Sequence, residues 1–164
     1  MLVDCLPYTQ SHASAHVLLL LFFIELGDGH YWANDDLRID IPLRFVGDEH
    51  NPSNVVIEMS GSIVWNAGGG FCEGITFRRP KLTSGEHLAK EILRMAPGSR
   101  LDMVESVLDN EGSDAYVVAV QRGKGTWKNV VIRNGRLGVG LEDECHFKLQ
   151  EVSENMLTVA LCIR

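Results

Sequence analysis

Two stretches of the chain determine the fold: Leu101–Gly112, which reads LDMVESVLDNEG, and Gly125–Gly135, which reads GTWKNVVIRNG. A slide of 24 residues superimposes Met103 on Trp127, Val107 on Val131, Leu108 on Ile132 and Asn110 on Asn134. A repeat in the low twenties, built of short β-like runs without a helix, indicates a β-solenoid. One turn of such a coil cannot bury its inner face alone, and stacked turns about 4.8 Å apart bury it together.

The repeat extends in both directions from these stretches. Phe147–Asn155 (FKLQEVSEN) is a third copy, and its Asn155 follows Asn134 by 21 residues with an ambiguity of one. Phe71–Pro80 (FCEGITFRRP) is an earlier relative, separated from the others by a longer loop. Asparagine tolerates the left-handed backbone of a sharp corner. We therefore predict that Asn110, Asn134 and Asn155 are structural turn residues.

The composition agrees with an ordinary globular chain. Its 164 residues are 45% hydrophobic and 23% charged, which excludes a disordered chain, a collagen and a multi-span membrane protein. From Leu37 onward, short β-like runs alternate with glycine- and asparagine-rich turns. We predict an all-β domain over 27–164: a right-handed, single-stranded parallel β-helix of about five or six rungs. A fragment of a longer solenoid is kept as an open alternative.

The N-terminal segment 1–26 is poorly defined by the sequence. Its apolar run Val17–Ile24 (VLLLLFFI) is too short to span a bilayer, which needs about 20 residues. A signal peptide and a buried strand both remain open, and the strand is favoured because no Lys or Arg precedes the run. The sequence leaves the cellular location open and favours an intracellular one. Without a C-x-x-C pair or clustered Cys/His spacing, we expect neither a metal site nor a cofactor.

At the repeats above, the sequence resembles the right-handed parallel β-helix, or pectin-lyase-like, family. More narrowly, it resembles the eukaryotic β-helix domains of F-box-only proteins and of Shc SH2-domain-binding proteins. The resemblance covers about 27–164, and its further matching stretches are Gly29-His30-Tyr31, Leu43–Gly47, Val55–Trp65 and Glu73–Pro80. It implies the fold first, because such folds carry polysaccharide lyases, hydrolases, epimerases and non-catalytic interaction scaffolds.

The family's catalytic signatures are missing from the sequence. Hydrolases of this family commonly show Asn-Thr-Asp or Gly-His-Gly and epimerases Asp-Pro-His, and none of these occurs here. The acidic pairs that do occur, such as Asp35-Asp36, are adjacent in sequence, and adjacent strand residues face opposite sides. We therefore assign no catalytic residue and lean towards a chain without enzymatic activity.

Basic residues concentrate in two places, although the net charge of −7 makes nucleic acid a poor partner. Between Ala115 and Leu141 there are five basic residues and no acid: Arg122, Lys124, Lys128, Arg133 and Arg136. The second cluster lies beside the loop Pro80–His87 and comprises Arg78, Arg79 and Lys81. These eight are the candidate binding residues for an acidic sugar or an acidic peptide. The favoured alternative is that successive rungs alternate in sign and pair across the stack.

The 24-residue slide also stacks Asp109 on Arg133, so we predict that these two side chains pair. We expect an exposed pair, which limits its coupling to well under about 1 kcal/mol. For the whole chain, the leading expectation is a non-catalytic module for protein interaction or substrate recognition, with a protein partner and no membrane span. The alternative is a carbohydrate-binding or carbohydrate-active protein that acts on acidic polysaccharide.

Overall fold

The computed structural model describes residues 22–80, 91–141, 144–151 and 153–155. Its strands, in chain order, are β1 (Phe22–Glu25), β2 (Gly29–Ala33), β3 (Leu37–Ile39), β4 (Leu43–Val46), β5 (Val55–Met59), β6 (Ile63–Trp65), β7 (Gly70–Glu73), β8 (Thr76–Arg79), β9 (Leu93–Met95), β10 (Asp102–Val104), β11 (Val107–Val120), β12 (Lys124–Lys128), β13 (Val131–Leu141), β14 (His146–Gln150) and β15 (Ser153–Asn155). Among the described residues, the one helical segment is the short 3-10 turn Pro52–Asn54.

All the strand pairs are parallel, and they stack as a β-solenoid. The first face is a sheet with the order β1-β4-β7-β10-β12-β14. The second face stacks β2, β5 and β8 under the N-terminal parts of β11 and β13, followed by β15. The third face stacks β3, β6 and β9 under the C-terminal part of β11. The predicted all-β parallel solenoid is therefore confirmed.

The number of turns is slightly lower than predicted. The solenoid has about four turns instead of five or six rungs. In the first sheet, β4, β7, β10 and β12 have neighbours on both sides, whereas β1 and β14 pair on one side each within the described residues. The right-handed winding stays a prediction, supported by the strong preference of parallel β connections for that hand.

The predicted 24-residue register holds along most of the repeat. Met103 pairs with Trp127 and Val107 pairs with Val131. The ladder between β11 and β13 shifts after Asp109, so its register does not pair Asn110 with Asn134. The shift arises where β11 continues for 14 residues and passes from the second face to the third in a single strand.

The interior of the coil is filled by the inward-facing side chains of all three faces. The largest fully buried ones are Trp65, Trp127, Phe77, Met59, Ile75, Ile92, Leu93, Met95, Leu101, Met103, Leu108 and Ile132. Alternation along each strand places the next residue outside, so the interior fixes which side chains face solvent. Of the apolar run Val17–Ile24, only Phe22–Ile24 falls within the described residues, and it lies in β1. The expected strand is found there, but Phe22 and Phe23 are exposed and not buried as expected.

One corner requires glycine. Gly74 lies between β7 and β8 with φ +66°, in the left-handed region. A Cβ there would lie 2.4 Å from the backbone carbon of Asp48, a residue of the preceding turn. Glycine therefore meets two requirements at this corner, since it adopts positive φ without cost and lets the backbones of two turns approach closely.

Candidate functional site

Positively charged side chains gather on the outer surface of the first sheet, at its C-terminal end. Alternation along this end of the sheet gives nine outward positions in three rows: 100, 102 and 104; 124, 126 and 128; and 146, 148 and 150. Five of the nine are cationic or can become so, and we call them the basic face: Arg100, Lys124, Lys128, His146 and Lys148. All five are exposed.

Three members of the basic face form one column along the solenoid axis. Arg100 bridges to Lys124, and Lys124 pairs in register with His146. Parallel strands lie about 4.8 Å apart, so these groups rise one above the other at that interval. Like charges directly opposite each other across strands are destabilising. Pairing between rungs therefore does not explain this column.

The acidic side chain on this surface already accepts hydrogen bonds from neighbouring residues. Asp102 is the one carboxylate among the nine described outward positions. Its Oδ2 accepts hydrogen bonds from Nε and Nη2 of Arg100 at 3.2 and 3.0 Å, and its Oδ1 accepts one from the backbone N–H of Thr126 at 2.7 Å. Asp102 therefore positions Arg100 and leaves Lys124, Lys128 and Lys148 without a carboxylate partner within the described part of the chain.

A concavity of about 400 Å³ opens within the basic face. Its lining residues are Arg100, Lys124, Gly125, Thr126, His146, Phe147 and Lys148. Phe147 lies at an inward position, and its ring packs edge-on against buried Trp127 with 5.3 Å between the ring centroids. Lys128 belongs to the basic face but does not line the concavity. The arrangement can bind an anionic group, and no acid is among its lining residues.

The second face shows the opposite charge pattern. Glu58, Arg78, Asp109 and Arg133 occupy one outward column in successive turns. Arg78 lies 3.7 Å from a carboxylate oxygen of Glu58 and 3.7 Å from one of Asp109. Neighbouring turns therefore alternate in sign, and the favoured pairing of charges across the stack is found on this face.

The predicted Asp109–Arg133 pair exists, but it is not exposed. Nη2 and Nε of Arg133 lie 2.9 and 3.0 Å from Oδ2 of Asp109, and Asn134 donates to Oδ1 at 2.7 Å. Asp109 is 0% exposed, although alternation places it outside, because Arg78, Arg133 and Asn134 cover it. The expected exposure of this pair is therefore wrong for Asp109, and the bound of well under about 1 kcal/mol loses its premise.

Arg79 is an interior residue and not a surface binding residue. It is 2% exposed, and its guanidinium donates to the carbonyl oxygens of Gly61 and Glu91 and, at 3.1 Å, to Oδ1 of Asn110. Burial lowers the pKa of this guanidinium, while nearby Glu91 opposes the shift. Arg79 thereby joins the two ends of the segment 80–91 from inside the coil.

The remaining predicted binding residues lie apart from one another. Lys124 and Lys128 belong to the basic face, whereas Arg122 lies at a corner 3.8 Å from Glu144. Arg136 lies in β13, which does not belong to the first sheet. Lys81 lies outside the described residues, as does most of the loop Pro80–His87. The structure thus does not assemble the eight basic residues into one surface.

Of the three predicted turn residues, Asn134 alone adopts positive φ, at 63°. Asn110 is buried within β11, where it accepts a hydrogen bond from Arg79, because β11 continues past the expected corner. Asn155 ends β15 and pairs with Arg133, which lies within the one-residue ambiguity of the predicted register. A left-handed corner that the sequence reasoning did not identify lies at Asn129, with φ 53°.

Sequence reasoning missed Arg100, His146 and Lys148, which complete the basic face. The signal was available for Arg100, because the same 24-residue slide places it under Lys124. His146 and Lys148 follow a shorter repeat of 22 residues, read from Lys124 to His146. A search confined to the acid-free run Ala115–Leu141 excluded all three residues.

Among the described residues, no group of three or more His, Cys, Asp or Glu side chains could hold a metal ion. Within the same part of the chain, no helix is long and apolar enough to cross a membrane. Comparison of the sequence with protein-family models and with curated proteins, and of the fold with solved structures, gave no match.

Proposed function

We propose that this chain is a non-catalytic interaction module that binds an acidic segment of a protein partner through the basic face. The observation that carries the proposal is the column of Arg100, Lys124 and His146. Arg100 and Lys124 stack with like charge, which costs stability, and a protonated His146 would add to that cost. The second face of the same solenoid instead alternates its charges. An anionic ligand is the group that would offset this repulsion.

Exposure of the side chains also supports a binding role. Lys124, Lys128 and Lys148 extend into solvent from rigid strands, where their ammonium groups can meet a partner without rearrangement of the backbone. Each exposed ion pair contributes only about 0.2–1 kcal/mol, so several must act together. Such binding is weakened by salt, because the charges are screened within about 10 Å at 0.1 M.

Fold-level analogy supports the same conclusion. The sequence resemblance to the pectin-lyase-like β-helix, and to the β-helix domains of F-box-only and Shc SH2-domain-binding proteins, suggests a scaffold that presents a rigid surface. This support is analogy, because one fold carries many functions. The loop Pro80–His87 is proposed as a separate contact, since loops that interrupt a repeat often lie on a binding face. The strand that precedes it, β8, belongs to the second face and not to the basic face.

The second candidate function is binding of an acidic polysaccharide. The observation that favours it is the regular interval of the column, one basic side chain for each turn of about 4.8 Å. A linear polymer with one carboxylate per sugar could lie along such a column. Arg100 could hold a uronate carboxylate with N–H groups that Asp102 leaves available.

A direct comparison of two ligands tests the proposal. Calorimetry would measure binding of a glutamate-rich peptide and of polygalacturonate at low and high salt, for the natural chain and for the double variant Lys124→Gln, Lys148→Gln. We expect salt-sensitive binding of the peptide that falls about tenfold or more in the double variant. Binding of polygalacturonate alone would favour the second candidate, and cleavage of it would overturn the non-catalytic assignment.

A further inference from the structure

The concavity of the basic face is better matched to a doubly charged anion than to one carboxylate. Four groups that are cationic or can become so line it: Arg100, Lys124, His146 and Lys148. A carboxylate offers one charge and two acceptor oxygens, whereas a phosphoryl group on a side chain carries about −1.5 to −2 charges and three acceptor oxygens. The second kind of anion satisfies more of the donors that line the concavity.

Arg100 is arranged to contribute to such a site. A guanidinium has five N–H donors, and the two hydrogen bonds to Asp102 leave donors available. Those two bonds also fix the orientation of the planar group, which lowers the conformational entropy lost when it binds a ligand. Thr126, between Lys124 and Lys128 in β12, adds a hydroxyl to the lining.

We propose that the concavity binds a phosphorylated side chain of the partner's acidic segment. This inference rests on the proposed function and deepens it: the whole basic face attracts the acidic segment, and the concavity within it recognises the phosphoryl group. Lys128 distinguishes attraction by the basic face from recognition by the concavity, because it belongs to the basic face but does not line the concavity. Lys124 contributes to both.

The test uses one short glutamate-rich peptide in three forms, with serine, phosphoserine or glutamate at its centre. Calorimetry would measure the affinity of each form for the natural chain and for the variants Lys124→Gln and Lys128→Gln. We expect the phosphoserine form to bind about tenfold or more tightly than the serine form, with glutamate in between. The ratio should fall to about threefold or less in Lys124→Gln and stay unchanged in Lys128→Gln, although both variants bind every peptide more weakly.

Three outcomes would contradict the inference, and they separate it from the proposed function. Equal affinity for the serine and phosphoserine forms would overturn phosphoryl recognition while the basic face remained a peptide-binding surface. An unchanged ratio in Lys124→Gln would place the phosphoryl group outside the concavity. Binding of a sulfated polysaccharide with no binding of any peptide would overturn both proposals.

Discussion

The guanidinium of Arg133 lies 2.9 Å from the carboxylate of Asp109, one turn away, and helps to bury that carboxylate completely. Arg133 itself keeps 39% of its side chain exposed. The pair is therefore asymmetric: the anion has lost its water, and the cation has kept part of its own. The net stabilisation depends on how far the attraction of the positive neighbours offsets the desolvation cost of the Asp109 carboxylate.

The first prediction concerns this pair. Removal of Arg133 as Arg133→Gln should lower the free energy of unfolding by about 2–3 kcal/mol, because Asp109 loses a charged partner while it remains buried. A double-mutant cycle with Asp109→Asn, followed by urea denaturation, should give a coupling of about 1–3 kcal/mol. A coupling within about 0.3 kcal/mol of zero would mean that solvent reaches the carboxylate.

The second prediction concerns the corner between β7 and β8. Gly74→Ala should destabilise the chain by about 2–4 kcal/mol, since the added Cβ suffers both the positive φ and the contact with Asp48. Gly69→Ala is the matched control, because a Cβ at Gly69 meets no atom within 4 Å. Thermal unfolding of both variants checks the prediction, and equal melting temperatures would contradict the close approach of the two turns.

The third prediction concerns Arg79. In the variant Arg79→Met, the carbonyl oxygen of Gly61 loses its buried donor, at a cost of about 1–3 kcal/mol. The carbonyl oxygen of Glu91 keeps the hydrogen bond from Oγ of Ser62, so we expect a loss of at least about 1 kcal/mol in chemical denaturation. The exposed Arg38→Met in β3 serves as the control, and an equal effect of the two changes would show that Arg79 is solvated.

The fourth prediction concerns the thiols. Burial raises the pKa of the Cys72 thiol, so at neutral pH it stays protonated and unreactive. Cys145 is only half-buried and should react with iodoacetamide faster than Cys72 in the folded chain. Peptide mass mapping over time measures both rates, and the chain unfolded in urea should lose the difference. Faster labelling of Cys72 than of Cys145 in the folded chain would argue against a closed interior at β7.

The sequence predicts the stacking well wherever the interior specifies it. Val107 and Leu108 align with Val131 and Ile132 because a slip of one residue would turn Leu108 and Ile132 outward. The burial of Asp109 could not be predicted in the same way. The alternation of inward and outward residues along the strand places Asp109 on the outer surface, and the side chains that bury it belong to two other turns.

Arg79 shows a different reason for failure. Its position beside a loop in the sequence suggested exposure, but it lies two residues after inward-facing Phe77 and therefore points inward as well. The alternation of inward and outward residues along β8 was therefore sufficient to predict that Arg79 points inward. Its charge led to the opposite prediction, because Arg is rarely buried without partners. The partners of Arg79 are two backbone carbonyl oxygens and the side chains of Asn110 and Ser62, and no sequence pattern marks them.

The turns of this solenoid differ in length without disturbing its columns. Thr76 follows its partner Val56 by 20 residues, whereas Val107 follows its partner Thr76 by 31. Insertions at corners therefore leave the stacked positions where they were. Duplication of one turn would lengthen the outer surface by a fixed step of about 4.8 Å and add one more row of outward side chains. In such an architecture, the length of the ligand and the number of charges that meet it can be adjusted one row at a time, as gene duplication adds turns.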